Sequence, residues 1–108
     1  MKNGLIIDKY EQSWYKNDLL HREDGPAEEW SHGTKVWYFN GKLHRTDGPA
    51  IEWINGSKAW YINDLRHRVD GPAIELANGD KKWYFNDECI ECKTQEEFLR
   101  MIKLKAFW

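Results

Sequence analysis

The sequence predicts an all-β protein in which four stacked β-hairpin repeats form an elongated antiparallel sheet, with a short C-terminal capping α-helix. The first observation is a Trp-Tyr pair that recurs at a constant step of 23 residues. The second is a set of turn signals on the same period, and the third is the loss of this period near the C-terminus. A fixed period of this length is typical of repeat architectures, in which neighbouring units bury each other's apolar faces. The pairs are Trp14-Tyr15, Trp37-Tyr38, Trp60-Tyr61 and Trp83-Tyr84.

Other residue types recur in register with these pairs. The segment 4–7 aligns with 27–30, 23 residues later, and is predicted to be a half-degenerate first copy. The repeats therefore span residues 4–87 of a single domain that covers residues 1–108. The recurring His-Arg pairs are His21-Arg22, His44-Arg45 and His67-Arg68, and the Asp-Gly-Pro-Ala motifs begin at Asp24, Asp47 and Asp70.

Within one unit, Asn55-Gly56 is the strongest hairpin signal. Runs of β-branched and aromatic residues flank it, and Asn-Gly is typical of a two-residue loop in which both residues take positive φ. This loop would pair Trp53 with Lys58, and Ile51 with Trp60. The predicted core face then carries Ile51, Trp53, Trp60 and Ile62, and the other face carries Ala50, Glu52, Ala59 and Tyr61.

The remainder of the unit contains a second change of direction. The chain passes Asn63-Asp64, which predicts a second turn or a bulge, and the ladder ends at Asp70-Gly71-Pro72 because Pro has no N–H to donate. Stacking the units aligns a column of glutamates, and like charges side by side on a sheet repel. The Arg column seven residues upstream therefore predicts an Arg/Glu ladder, partly covered by Tyr rings. The glutamates are Glu29, Glu52 and Glu75.

Residues 94–105 predict the helix. Thr94 with Glu97 three residues later is a capping box, acidic residues come first and basic residues come late. Apolar residues from Phe98 onwards form one face. The helix is expected to cap the open end of the array, as terminal units of repeat proteins commonly do.

Composition excludes several classes of function. The 16 basic and 18 acidic residues give a net charge of −2, which argues against non-specific nucleic-acid binding. No apolar run is long enough to span a membrane, and the start of the chain does not match a signal peptide. The 2 cysteines are too few for a disulfide framework, so we expect a cytoplasmic protein.

The candidate chemical motifs favour structure over catalysis. Cys89 and Cys92 form a C-x-x-C, but no further ligands lie at zinc-site spacing, so they are predicted to be small buried or idle thiols. The His and Asp columns occur in three equivalent copies, whereas an active site normally needs one differentiated constellation. We therefore expect no enzymatic activity and no cofactor.

The repeat also resembles a known class. The segment from Trp37 to Ala50, with its Asn40-Gly41-Lys42 and its His-Arg and Asp-Gly-Pro motifs, resembles the MORN-variant repeats common in proteins of bacteriophages and large viruses. The resemblance covers residues 4–87. It implies an elongated antiparallel sheet that serves as an interaction surface, and a phage or viral source. The lipid-binding role proposed for some MORN proteins is not expected, because the chain has no basic patch to hold an anionic membrane.

The functional hypothesis is a non-catalytic protein-binding module, specifically a phage protein that binds and inhibits a host protein such as a defence factor. A nucleotide or small-ligand binder and a structural virion or assembly component are the alternatives, and a second copy of the chain is another candidate partner. Aromatic and Arg side chains are the residue types enriched in binding hot spots. The predicted partner-binding residues are Trp30, Tyr38, His44, Arg45, Tyr61, Arg66, His67, Arg68, Phe107 and Trp108.

Overall fold

The structure, a computed structural model, describes residues 1–105. Over these residues the chain forms 14 β-strands and one α-helix. The strands are β1 (Gly4–Ile7), β2 (Glu11–Lys16), β3 (Leu19–Leu20), β4 (Glu28–Trp30), β5 (Lys35–Val36), β6 (Tyr38–Phe39), β7 (Lys42–Leu43), β8 (Ile51–Glu52), β9 (Lys58–Ala59), β10 (Tyr61–Ile62), β11 (Leu65–Arg66), β12 (Ile74–Glu75), β13 (Lys81–Phe85) and β14 (Glu88–Ile90). The helix is α1 (Gln95–Lys105).

Most strands belong to one antiparallel sheet, in the order β1-β2-β4-β5-β8-β9-β12-β13-β14, with β3 paired to β2. Each inner unit contributes two neighbouring strands to this sheet and also forms a separate two-stranded hairpin, either β6-β7 or β10-β11. The molecule measures 46 × 31 × 17 Å. The predicted all-β hairpin-repeat fold with a C-terminal helix is confirmed.

The two-residue turn of each inner unit lies at the second change of direction. Asn63 and Asp64 have φ of 48° and 68° and connect β10 to β11, where Ile62 pairs with Leu65. Two successive positive φ angles match the right-handed twist of the flanking strands, and Asn and Asp tolerate them better than most residues. The equivalent turns are Asn17-Asp18, Asn40-Gly41 and Asn86-Asp87.

The predicted two-residue loop at Asn55-Gly56 is wrong, because these residues belong to a three-residue loop. The Trp53 N–H donates to the Ser57 carbonyl at 3.0 Å, which leaves residues 54–56 between them. Gly56 takes a positive φ of 94°, whereas the Asn55 side chain accepts the Ser57 N–H at 2.9 Å. An Asn followed by Gly therefore forms a side-chain turn here, with one left-handed residue instead of two.

The predicted register and core face are wrong for the same reason. The odd loop length moves the pairing by one residue, so that Ile51 pairs with Ala59 and not with Trp60. Ala50 and Ala59 are fully buried, while Trp53 on the predicted core face is 39% exposed. Backbone hydrogen bonds join these positions to the neighbouring strands: the Trp37 N–H donates to the Ala50 carbonyl at 2.7 Å, and the Ala50 N–H donates to the Ala59 carbonyl at 2.8 Å.

Helix α1 packs against the last strands. Phe98 is fully buried and contacts Trp83 and Ile90 in one apolar cluster. Thr94 is the N-cap, because its hydroxyl accepts the Glu97 N–H at 3.2 Å. The predicted helix at 94–105 is confirmed from Gln95 onwards, and the helix is the only one among residues 1–105. None of the described residues forms a helix with the length and hydropathy needed to cross a membrane.

The N-terminal strand β1 pairs with β2 in a register that differs from the inner repeats. The inner pairing of Glu28 with Val36 would place Leu5 opposite Ser13, but Leu5 lies opposite Trp14. The loop between β1 and β2 is two residues long, since the Asp8 N–H donates to the Glu11 carbonyl at 3.0 Å. One residue fewer in the loop accounts for the shift.

Candidate functional site

Each arginine of the repeated His-Arg pairs lies over a tryptophan ring eight residues upstream. The guanidinium carbon lies 3.9 Å from the ring centroid for Arg22 and 3.8 Å for Arg45 and Arg68. This distance is typical of a cation–π contact, which is strongest with Trp. The sequence predicted Tyr rings as a partial cover of the Arg/Glu ladder, whereas the rings that lie over these three arginines are Trp rings. The rings are those of Trp14, Trp37 and Trp60.

The same guanidinium groups hold the turns and the neighbouring strands. Arg45 donates from Nε to Asp47 at 2.9 Å, and from Nη1 to the Pro49 carbonyl at 3.1 Å and to Glu52 at 2.9 Å. The same three bonds recur at Arg68, where the Glu75 contact is 2.7 Å. The predicted pairing of Arg with Glu is therefore confirmed in these units.

The charge that reaches the surface at these clusters is negative. The side chain of Arg45 is 21% exposed and that of Asp47 is 84% exposed, and the other two units repeat this difference. The hydrogen bond from Arg45, followed by its charge, lowers the pKa of the Asp47 carboxyl. Each unit therefore presents an exposed Asp side chain beside a largely covered guanidinium.

The histidine column connects each unit to the next. His21, His44 and His67 each use Nδ1 to accept a backbone N–H, at 2.9, 3.1 and 3.0 Å respectively. These bonds require an unprotonated Nδ1, so the ring must carry its proton on Nε2. The rings also pack against apolar neighbours, since the His21 centroid lies 4.5 Å from that of Phe39. The donors are Asn40, Asn63 and Asn86.

Two grooves of similar chemistry lie between consecutive units. The first groove has a volume of about 580 Å³ and the second about 390 Å³. Trp and an apolar residue line each groove together with a His, and Asp carboxylates lie at the turns that border it. The first groove is lined by Arg22, Asp24, Trp37, Phe39, His44 and Asp47. The second groove is lined by Arg45, Asp47, Trp60, Ile62, His67 and Asp70.

The grooves bring together four of the residues predicted to bind a partner, namely His44, Arg45, His67 and Arg68. Phe39 and Ile62 also line the grooves, but they are not among the residues predicted to bind a partner. Their signal in the sequence is a column that changes from unit to unit while its neighbours stay constant. The column reads Lys16, Phe39, Ile62 and Phe85.

Other predicted residues lie outside these grooves. Arg66 stacks on Tyr84 with a guanidinium-to-centroid distance of 4.3 Å and bonds Asp87 at 2.7 Å. Tyr38 and Tyr61 are half-buried, and burial is the main cause that raises the pKa of both phenols. These side chains interact within the protein and do not line either groove.

Trp30 lies apart from both grooves. It lines a separate hollow of about 230 Å³ together with Ile7 and Tyr10. Its ring centroid is 6.1 Å from that of His32, and the two ring planes are inclined by 28°. Phe107 and Trp108, the other two predicted contacts, lie outside the described residues.

The two cysteines are both free thiols. Cys89 is exposed and Cys92 is half-buried, so of the two predicted alternatives, small buried thiols or idle ones, the first is wrong for Cys89 and neither thiol is fully buried. Burial, followed by the charge of Glu97, raises the pKa of the Cys92 thiol, which disfavours the reactive thiolate. Over residues 1–105 no group of three or more His, Cys, Asp or Glu side chains is arranged to hold a metal ion.

Comparisons of the chain with protein-family models, with curated proteins and with solved structures give no match.

Proposed function

We propose that this protein is a non-catalytic protein-binding module and that it holds its partner in the first and second grooves. The observation that carries the proposal is the repetition of one groove chemistry in two successive units. An aromatic or apolar floor beside an exposed carboxylate suits a side chain with an apolar stem and a basic end. A partner that presents two such side chains would contact both grooves at once.

The spacing of the grooves supports a partner segment in extended conformation. Each inner unit adds two strands to the sheet, and strands lie about 4.8 Å apart, so successive grooves are about 10 Å apart. Three residues of a segment in the extended polyproline II conformation cover about the same distance at ~3.1 Å each, and its three residues per turn return the side chain to the same face. Every third side chain of such a segment would therefore meet an equivalent groove.

The identity of the partner rests on the resemblance to the MORN-variant repeats. Because those repeats are common in phage and viral proteins, we place this protein in the cytoplasm of an infected host and its target among host proteins. Occupation of a surface of the target by a rigid sheet would inhibit the target without any chemical step.

The experiment is affinity capture from lysates of candidate bacterial hosts, followed by measurement of the affinity for the captured protein. We expect Phe39→Lys and Ile62→Lys to weaken binding by at least about tenfold, as substitutions at hot spots do. Lys occupies the same column at Lys16, so the fold accepts it there. Ile54→Lys, at a loop residue that is 65% exposed and lines neither groove, is the control. Failure to capture a specific partner, or unchanged affinity of both groove variants, would contradict the proposal.

The ligand-binding alternative requires arginine donors that are free to contact a phosphate. Arg45 and Arg68 already donate to carboxylates and carbonyls of the protein and lie against Trp rings. A thermal-shift panel of nucleotides tests this alternative: strong stabilisation by one nucleotide, without a protein partner, would replace our proposal. Ordered self-assembly without a partner would favour the structural virion role instead.

A further inference from the structure

Strand β1 forms one edge of the ten-stranded sheet and is paired only with β2. All four residues of β1 are exposed, with Leu5 at 46%, Ile6 at 41% and Ile7 at 63%. The last strands of the sheet, β13 and β14, are instead covered by helix α1, which packs on Trp83 and Ile90. The N-terminal edge thus combines unpaired backbone with apolar side chains.

The direction of the free backbone groups follows from the loop. The Asp8 N–H donates to the Glu11 carbonyl, so Asp8 and Glu11 are a hydrogen-bonded pair. Such pairs alternate along an antiparallel ladder, which places Ile6 in the next bonded pair with Ser13. The N–H and C=O groups of Leu5 and Ile7 therefore point away from β2, towards the open edge.

The edge lacks the features that normally prevent pairing. Residues 4–7 contain no charge and no Pro, both of which proteins use to block exposed edges. The corresponding positions of the next unit carry Glu28 and Glu29, where this strand has Leu5 and Ile6. The repeat pattern thus changes from charged to apolar at the strand that, among the described residues, has a neighbour on one side only.

We propose that β1 is a dimerisation strand, which pairs antiparallel with β1 of a second copy of this chain. With a two-fold axis at Ile6, Leu5 of each copy pairs with Ile7 of the other, and both outward-pointing residues form their backbone hydrogen bonds. Ile6 then meets its own counterpart on the axis. The two sheets become one continuous sheet across the axis.

Self-pairing is favoured over another strand because the segment is complementary to itself. In the proposed register Asp8 lies opposite Gly4, and Lys9 lies opposite Asn3 of the other copy, so no two like charges face each other. Apolar side chains meet apolar side chains on both faces of the strand. Antiparallel pairing of identical strands also closes the assembly at two copies, since each chain has used its N-terminal edge.

The test compares molar masses by light scattering after size-exclusion chromatography. We expect the unmodified protein to have about twice the chain mass of 12.9 kDa. Ile6→Lys and Ile6→Glu each place two like charges on the axis and should give monomers. An equimolar mixture of the two variants should return to the dimer mass, because the axis then holds one Lys and one Glu.

Ile54→Lys introduces the same charge away from the edge and should remain dimeric. Circular dichroism of each variant checks that the substituted chains are folded. A monomeric unmodified protein, dimeric Ile6 variants, or a mixture that stays monomeric would each overturn the proposed pairing. The result is independent of the grooves, whose variants are expected to keep the dimer mass.

Discussion

The imidazole of His44 shows how a repeated polar residue can be structural. Its Nδ1 accepts the Asn63 N–H at 3.1 Å, and no second acceptor for this N–H is visible among the described residues. We expect His44→Ala to lower the free energy of unfolding by about 0.5–1.5 kcal/mol, the net contribution of one hydrogen bond. Lys42→Ala, at an exposed residue of the same unit, should change it by less than about 0.5 kcal/mol. Urea denaturation at one protein concentration measures both, and equal effects would contradict the structural role.

Two carboxyl groups should affect stability in opposite directions. Arg45 lowers the pKa of Asp47 below its ordinary 3.8, so its stabilising contribution is present above that pH and is lost as pH falls through the folded value. Burial, followed by the charge of Glu11, raises the pKa of Glu28 above 4.5. The protonated carboxyl of Glu28 therefore contributes stability at lower pH, and this contribution is lost as pH rises through the pKa of the folded state.

At neutral pH we therefore expect Asp47→Asn to lower the melting temperature and Glu28→Gln to raise it. The loss caused by Asp47→Asn should shrink in acid, where the carboxyl of the unmodified protein is protonated. The gain from Glu28→Gln should shrink below the raised pKa of Glu28. Melting curves between about pH 3 and pH 7 measure both differences. Differences that do not vary with pH would show that neither carboxyl acts through its charge.

At the scale of secondary structure, α1 was predictable because its signals are local. The capping box and the apolar face lie within a dozen residues, and neither depends on the rest of the fold. The turns were harder, because Asn55-Gly56 and Asn63-Asp64 both match turn chemistry. Which turn holds two residues depends on the pairing of strands across the whole unit. One residue of loop length then placed Ile51 and Ala59, which were predicted to lie on opposite faces, in one cross-strand pair on the same face.

The packing of α1 gives a direct test of its role as a cap. Phe98 is fully buried against Trp83, whereas its neighbour Leu99 is 42% exposed. Phe98→Ala should lower the free energy of unfolding by about 3–5 kcal/mol, as loss of a buried aromatic does. Leu99→Ala should cost much less, because it leaves no cavity. Chemical denaturation measures both, and a small effect at Phe98 would mean that the sheet does not need the helix.

At the scale of the whole molecule, the columns of the sequence predicted the repeat, the order of the units and the Arg/Glu pairing. The grooves could not be predicted in this way, because each one forms between turns of two units. The role of Phe39 follows from its position beside His21 and His44, which lie 18 residues before it and 5 residues after it in the chain. This proximity depends on how the units stack, and it cannot be inferred from the sequence of a single unit.

The orientation of the strands has a mechanical consequence. The nine strands that lie side by side, at about 4.8 Å spacing, account for most of the 46 Å length, so the hydrogen bonds between strands point along the long axis. Tension applied along this axis would load the junctions between units in series. The junction between β5 and β8 has only two residue pairs in its ladder. The strength of the molecule under load would be that of its weakest junction, however many units are stacked.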